Sequence, residues 1–367
     1  MPTSGESLTS TDVLVIGLGV TGAIALRAAR DVGVDARGID LVHESPEGTL
    51  DGCNYSTRAW GIFADGTVAC ASTGWSRRFQ AKALIIATGG IDLPLPLPGW
   101  ELPGAIGAHR AERSLDDGVE VAVIRGPHAG LGGHKPNLER FTVVIDHDLA
   151  SGDPVSITGD GVVQSLTIGG TTTSVSHVLL DNGLQPENVL ARMTGVPSEF
   201  SVQAGGDAIV PGSVFAGTGA LITVIGDAAG ISSDDEVTRA AARDAGRLLA
   251  ESVAGGRIPV AIPEQRPAWQ PGGAPVLPTQ ATGDTLVCPD EGITVAMVRD
   301  AIDRGATTVN DVKRRTRAAM AACQGRDCLW TIRAMLAEAG RAYTTPMTAR
   351  PPAAGITVGE LAAIHAE

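Results

Sequence analysis

The sequence predicts an α/β chain: a nucleotide-binding β-α-β unit, a strand-rich insert, and a small helical module bearing most of the cysteines. Three observations carry this reading. An apolar run at residues 12–16 ends in Gly17-Leu18-Gly19-Val20-Thr21-Gly22. Two later apolar runs, residues 84–87 and 221–225, each close on a glycine turn. Three of the five cysteines, Cys288, Cys323 and Cys328, fall in the last eighty residues. A chain of 367 residues with 47 glycines has room for two or three domains and for many close backbone approaches.

The first run, DVLVI, reads as a buried strand, and the alanine-rich stretch up to Val32 as a helix with Gly33 as its stop. Residues 36–39 lead to Asp40 and complete the unit. Gly17 permits a tight turn, Gly19 lets a pyrophosphate approach the backbone, and Gly22 lets helix and strand pack closely. The helix N-terminus offers donors and a partial positive charge. Asp40, 23 residues after Gly17, stands at the distance of a ribose-binding acid. A glycine turn without ligand would explain the fingerprint alone; strand, helix and acid in register favour a dinucleotide.

Residues 84–87 form another buried-strand run, followed by Thr88-Gly89-Gly90 and a proline-rich turn at 93–104. From 119 to 180 Thr, Val and Ile alternate between glycine turns, which predicts strands. Residues 119–124 would suit the first strand of a second nucleotide-binding unit. The glycine loop after it, however, runs into Lys135-Pro136, and Pro136 opposes the helix such a unit needs. The middle of the chain therefore reads as reduced, with doubtful NAD binding. His128 and His134 flank that loop and read as turn residues rather than metal ligands. Residues 221–226 lead to Asp227, and 236–253 read as an amphipathic helix. Six prolines between 259 and 283 predict a linker or a draped segment.

A formal net charge of −13 argues against nucleic acid, which demands a basic surface. Residues 286–344 hold nine Lys/Arg against seven Asp/Glu, a net of +2, leaving −15 for the rest. That asymmetry would steer docking or simply be a solvated surface. Five cysteines are too few for a disulfide scaffold, and Cys53 and Cys70 read as structural or bystander cysteines. Residues 1–11 lack the pattern of a signal peptide, and no apolar stretch reaches membrane length. The expectation is a cytoplasmic protein with no membrane span.

Cys288-Pro289-Asp290, Thr316-Arg317 and Cys323-Gln324-Gly325-Arg326-Asp327-Cys328 together resemble the bacterioferritin-associated-ferredoxin (BFD) type of [2Fe-2S] domain. Thr316, Arg317, Met320, Cys323, Gln324, Gly325 and Cys328 match that pattern. Asp290 replaces its second cysteine, and Ala319 and Ala321 replace two glycines. The resemblance implies metal ligation by Cys288, Asp290, Cys323 and Cys328. Soft thiolates suit iron–sulfur clusters, and the carboxylate would be a harder fourth donor. A [2Fe-2S] cluster with three Cys and one Asp, an incomplete cluster, and zinc are the three fillings to weigh. Arg317 and Arg326 would offset cluster charge or be ordinary surface arginines.

Residues 84–89 (LIIATG) resemble the ATG signature of two-dinucleotide-binding flavoproteins, and residues 221–230 resemble their second FAD motif. The resemblance implies FAD bound through Gly17, Gly19, Gly22, Asp40, Thr88, Gly89, Gly226 and Asp227. Motif order, with the proline-rich turn and residues 180–186, resembles one group over roughly residues 12–350. These are the α (A) subunits of heteromeric amino-acid dehydrogenases, of the opine oxidase, hydroxyproline or proline dehydrogenase, and hydrogen cyanide synthase type. The implied architecture is a two-dinucleotide-binding-type FAD Rossmann domain (1–105 and 206–258) around a trimmed middle domain (106–205). A Pro-rich linker (259–285), a BFD-like [2Fe-2S] domain (286–344) and a tail (345–367) follow. The implied role is electron transfer beside a catalytic FAD-containing β subunit that oxidises a C–N bond. Further expectations are FMN at a subunit interface and a small iron–sulfur subunit. The alternatives are a stand-alone NAD(P)H-dependent reductase of the ferredoxin-reductase type and a non-catalytic scaffold stabilised by FAD.

Overall fold

The computed structural model describes residues 8–133, 135–209, 213–217, 219–230, 236–256 and 269–363. Strand β1 (Leu8–Ile16) buries Val13, Leu14 and Val15 completely, as an apolar run flanked on both sides must. The chain turns at Gly17 into α1 (Val20–Asp31), whose alanines pack against the sheet. Gly33, at φ +92°, provides the left-handed stop after that helix. Strand β2 (Ala36–Ile39) then lies parallel to β1, from Val13 opposite Ala36 to Ile16 opposite Ile39.

Strands β3 (Arg58–Ile62) and β4 (Thr67–Ser72) form an antiparallel extension, and β4 pairs in turn with the long β5 (Trp75–Ile86). Strand β5 also runs parallel to β1, from Arg78 opposite Leu8 to Ile86 opposite Ile16. Beyond it, β6 (Gly90–Asp92) leads into the proline-rich turn and the middle of the chain.

There β7 (Ala105–Gly107), α2 (Ala108–Ser114), β8 (Glu120–Arg125) and β9 (Thr142–Asp148) follow. A hairpin meander, β10 (Val155–Thr158), β11 (Ser165–Ile168) and β12 (Thr171–Ser174), precedes β13 (Val178–Asp181). The order β7-β13-β8-β9 makes a small all-parallel sheet. Between β8 and β9, where a Rossmann unit would place its phosphate-binding helix, the described residues form turns and one 3-10 turn, Leu138–Arg140. Pro136 has that effect, as the sequence implied; His134 lies outside the described residues.

Strand β14 (Leu184–Pro186) pairs with β6 and brings the chain back. Helix α3 (Val189–Met193), the hairpin of β15 (Glu199–Ser201) and β16 (Gly206–Ala208), then β17 (Phe215–Gly217) and β18 (Ala220–Val224) follow. The main sheet is thereby completed in the order β17-β18-β5-β1-β2. Helix α4 (Glu236–Gly255) crosses α1 so closely that a Cβ on Gly246 would stand 2.0 Å from the Ala25 carbonyl oxygen.

The expected linker lies outside the described residues as far as 268. From Trp269 onward the chain is draped over the body: Val276 N–H donates to His128 Nε2 at 3.0 Å, and Gln280 donates to the Asp153 carbonyl. The C-terminal module comprises β19 (Leu286–Cys288), β20 (Ile293–Thr294), α5 (Val295–Asp303), α6 (Val309–Thr316) and α7 (Leu329–Glu338). Its core is its own, from Leu277 to Met347, and a Thr308–Asp311 capping box starts α6. Helix α8 (Val358–Ala363) returns to the first unit, where Glu360 meets Arg58 at 3.3 Å. Among the described residues no helix is long and apolar enough to cross a membrane. The architecture is the expected α/β class, with a trimmed middle and a small helical C-terminal module.

Candidate cofactor and metal sites

The eight residues that the flavoprotein resemblance singles out sit where four neighbouring parallel strands end. Gly17 follows β1, Asp40 follows β2, Thr88 and Gly89 follow β5, and Gly226 and Asp227 follow β18. Open α/β sheets bind ligands at this carboxyl edge. Each fingerprint glycine has a distinct local reason. Gly17 takes φ +94°, and a Cβ there would meet the Ala87 carbonyl oxygen at 2.2 Å. A Cβ on Gly22 would stand 1.9 Å from the Gly17 carbonyl oxygen, so only glycine allows α1 to lie against the turn. A Cβ on Gly19 would find no protein atom within 4 Å. That space, above an α1 N-terminus with no side-chain cap, is a cradle shaped for a phosphate group.

The remaining members frame this cradle. Asp40 accepts the N–H groups of Leu18 and Val42, which fixes its carboxylate beside the turn. A Cβ on Gly226 would lie 2.6 Å from Thr21 Oγ1, which places the second FAD motif on the first turn of α1. Gly89 opens on free space, while the Thr88 hydroxyl donates to the Glu187 carbonyl oxygen. These residues fit a dinucleotide.

The cysteine loop is built from backbone in unusual conformations. Arg317, Ala319 and Gln324 take φ values of 71°, 63° and 52°, in the left-handed region that L-residues enter at a cost of about 1–2 kcal/mol each. Ala319 occupies the place of one of the glycines in the BFD pattern. The turned backbone aims N–H groups at sulfur: Ala319 N–H reaches both Cys288 and Cys328, and Gly325 and Asp327 N–H groups reach Cys323. Such donor nests stabilise the anionic sulfurs of iron–sulfur sites.

The donors fall into two sets. Cys288 and Cys328 are buried, 1% and 0% exposed, and adjacent enough to shift each other's titration. Their mutual interaction draws Cys288 down to about 6 and pushes Cys328 up. Cys323 lies nearer the surface, where desolvation, and then its bond to Asp290, pushes its thiol up to about 12. One atom each from Asp290, Cys323 and Asp327 lies within 4.8 Å of the others. A two-iron cluster takes two terminal ligands per iron, and a buried thiol pair beside a thiol–carboxylate set fits that demand. Asp327 was absent from the sequence-derived ligand set. Its only sequence signal is its place between Cys323 and Cys328, where it reads as a spacer.

Two further features join the flavin motifs to the cysteine loop. Arg326 grips Glu187 with both ends of its guanidinium, at 2.5 and 2.9 Å, so it is no free surface arginine. Glu187 N–H in turn donates to the Gly89 carbonyl at 3.0 Å. Arg317, by contrast, is 73% exposed and meets Glu291. Beside this bridge lies an open cavity of about 830 Å³, lined on one side by Gly90, Ile91 and Asp92 and on the other by Pro289, Cys323 and Asp327. Deeper still, Asp207 accepts from Arg192 at 2.9 Å and from Arg333 at 2.8 and 3.0 Å, fastening α7 to the body. Cys70 is buried against β5, which pushes its thiol up to about 12, and Cys53 is half-buried near Arg30. Neither approaches the cysteine loop.

Residues 286–338 match the family of BFD-like [2Fe-2S] binding domains. The opine oxidase A subunit of Rhizobium meliloti (strain 1021) is 26% identical over 394 residues, covering 84% of this chain and 82% of that protein. Its counterpart in Agrobacterium tumefaciens (strain Ach5), also an opine oxidase A subunit, is 25% identical, covering 77% of this chain and 71% of that one. Among solved structures, L-proline dehydrogenase from P. horikoshii superposes with a TM-score of 0.73 at 19% identity, over 98% of this chain and 81% of that one. Its likeness is one of fold. The chain is thus similar over most of its length to opine oxidase A subunits, and its residues 286–338 match a BFD-like [2Fe-2S] binding domain.

Proposed function

We propose that this chain is the FAD- and [2Fe-2S]-containing electron-transfer subunit of a heteromeric amine or amino-acid dehydrogenase. The observation that carries the reading is the shared cavity. The turn that follows the ATG strand and the cysteine loop face each other across it, tied by Glu187 and Arg326. When bound, FAD accepts a hydride or passes single electrons, and a [2Fe-2S] cluster passes one electron at a time. The residues of this chain do the holding. Gly17, Gly19 and Gly22 shape the pyrophosphate cradle, Asp40 receives the ribose, Thr88, Gly89, Gly226 and Asp227 border the flavin end. Cys288, Cys323 and Cys328, with Asp290, hold the cluster.

Substrate oxidation at a C–N bond is assigned to a partner, a catalytic FAD-containing β subunit. What supports this is the likeness to the opine oxidase proteins, whose designation as one subunit already presumes others. The complex would be completed by a small iron–sulfur subunit. FMN at a subunit interface draws no support from these relatives. The stand-alone NAD(P)H reductase is disfavoured, because the described residues between β8 and β9 hold turns and no helix that would bind a second pyrophosphate.

Co-purification with the products of neighbouring genes tests the reading. Denaturation should release FAD, iron and sulfide should accompany the chain, and amino-acid turnover by the complex should bleach this subunit's flavin. A colourless chain, or flavin that stays oxidised during turnover, would refute it. NAD(P)H–dye reductase activity in the chain alone would favour the stand-alone reductase.

A further inference from the structure

The cavity side of the cysteine loop holds more donors than a two-iron centre can use. Cys288 and Cys328 pair in the interior. On the other side Cys323, Asp290 and Asp327 converge to within 4.8 Å of one another. Each iron takes two terminal ligands, so three donors contend for two places. Cys323 holds one, since iron–sulfur centres favour thiolate. We propose that Asp327 is a metal ligand interchangeable with Asp290, the two carboxylates sharing one coordination place at the iron that faces the cavity. This inference rests on the [2Fe-2S] reading given above.

The surroundings of Asp327 support a ligand role. Its carboxylate lies within 4.8 Å of both the Cys323 sulfur and a carboxylate oxygen of Asp290. A metal bound at that sulfur would stand beside the same carboxylate oxygen. Arg326, one residue earlier, is turned away to Glu187. Among the described residues neither Asp290 nor Asp327 has an ion-pair partner, although the two carboxylates lie side by side. Like charges this close repel, and a bound cation removes the repulsion. Asp327 is also fixed along the chain, between the two cysteines and at the start of α7, so it needs no loop movement to reach the metal. Asp290 sits in the short 3-10 turn Pro289–Glu291, on the opposite side of the loop. Two segments thus offer the same chemistry to one place.

The test uses the assembled complex, purified anaerobically, with Asp290→Ala, Asp327→Ala and the double variant. Asn versions of each serve where alanine unsettles the fold, which circular dichroism and tryptophan fluorescence report. Iron, zinc and sulfide are counted per chain, and the reduced cluster is read by EPR and Mössbauer spectroscopy. Either single variant is expected to keep its metal with an altered spectrum, and the double variant to lose the cluster. Metal loss in one single variant, with the other unchanged in metal and spectrum, would overturn the proposal in favour of a sole carboxylate ligand. A double variant with wild-type iron and spectrum would overturn it outright. Zinc in the wild type would instead defeat the electron-relay reading, while the same variants, scored by zinc content, still decide whether Asp327 binds metal.

Discussion

Placing one methyl group at either of two glycines three residues apart separates protein packing from ligand binding. At Gly22 a Cβ would lie 1.9 Å from the Gly17 carbonyl oxygen and 3.2 Å from Ala87 Cβ. Both neighbours belong to the packed turn, so Gly22→Ala should push α1 off the sheet, costing about 3 kcal/mol, the upper end for overpacking. At Gly19 the backbone has φ −62° and ψ −170°, open to any residue, and the Cβ meets nothing. Gly19→Ala should cost the flavin-free protein only the N-cap preference of glycine over alanine, about 1 kcal/mol or less. The same methyl would stand where the pyrophosphate meets the helix N-terminus. Losing even one charge-assisted hydrogen bond there costs about 1.5–3 kcal/mol, and about 1.4 kcal/mol is tenfold in Kd. FAD affinity in Gly19→Ala should therefore fall at least about tenfold. Urea unfolding of flavin-free protein and FAD titration by fluorescence quenching measure the two effects separately. Wild-type FAD affinity in Gly19→Ala, or equal destabilisation by both variants, would refute the assignment of roles.

Three further outcomes follow from the buried charges. Asp207→Asn leaves the guanidiniums of Arg192 and Arg333 facing each other in the interior, and should cost about 3–5 kcal/mol in urea unfolding. Replacing all three with apolar residues of similar volume should recover most of that loss, because the desolvation cost disappears with the charges. Burial pushes His128 below its ordinary value, so its neutral form is favoured in the folded state. Stability should be fully present above about pH 6.5, the unfolded value, and should fall as pH drops through the lower folded value, by at most about 1.4 kcal/mol per unit. His128→Gln should flatten that slope in urea midpoints taken across this window. Finally, Arg326→Leu strands the Glu187 carboxylate beside the ATG turn and should cost about 1–3 kcal/mol. Adding Glu187→Leu should restore most of it in a double-mutant cycle, with metal content constant throughout.

Local periodicity made the nucleotide unit readable, because its strands are short unbroken apolar runs and its turns require glycine. The turns that the described residues form between β8 and β9 were equally legible, since Pro136 opposes a helix there. The antiparallel extension of β3 and β4 was not read. Its strands mix Arg, Trp, Thr and Ser, and only pairing with β5 defines them. The same limit explains what was missed around the site. Arg333 lies 126 residues from Asp207, and Arg326 lies 139 residues from Glu187. Charge pairs across such separations leave no mark on local pattern. Asp327 stood in plain view, yet its proximity to Asp290 appears only once the loop has folded back on Pro289–Glu291.

A small redox module strung on a proline-rich segment invites comparison with a swinging arm that ferries electrons between stations. The Asp207 triad rules out that manner of working here. To swing, α7 would have to pull Arg333 out of a pocket where it is 2% exposed and stacked over Phe200 at 4.7 Å, and the loop would have to release Glu187 as well. The module is a moored station. A protein exchanging electrons with a cluster held there would have to travel to it, since the spacing between the cysteine loop and the flavin motifs is set at folding.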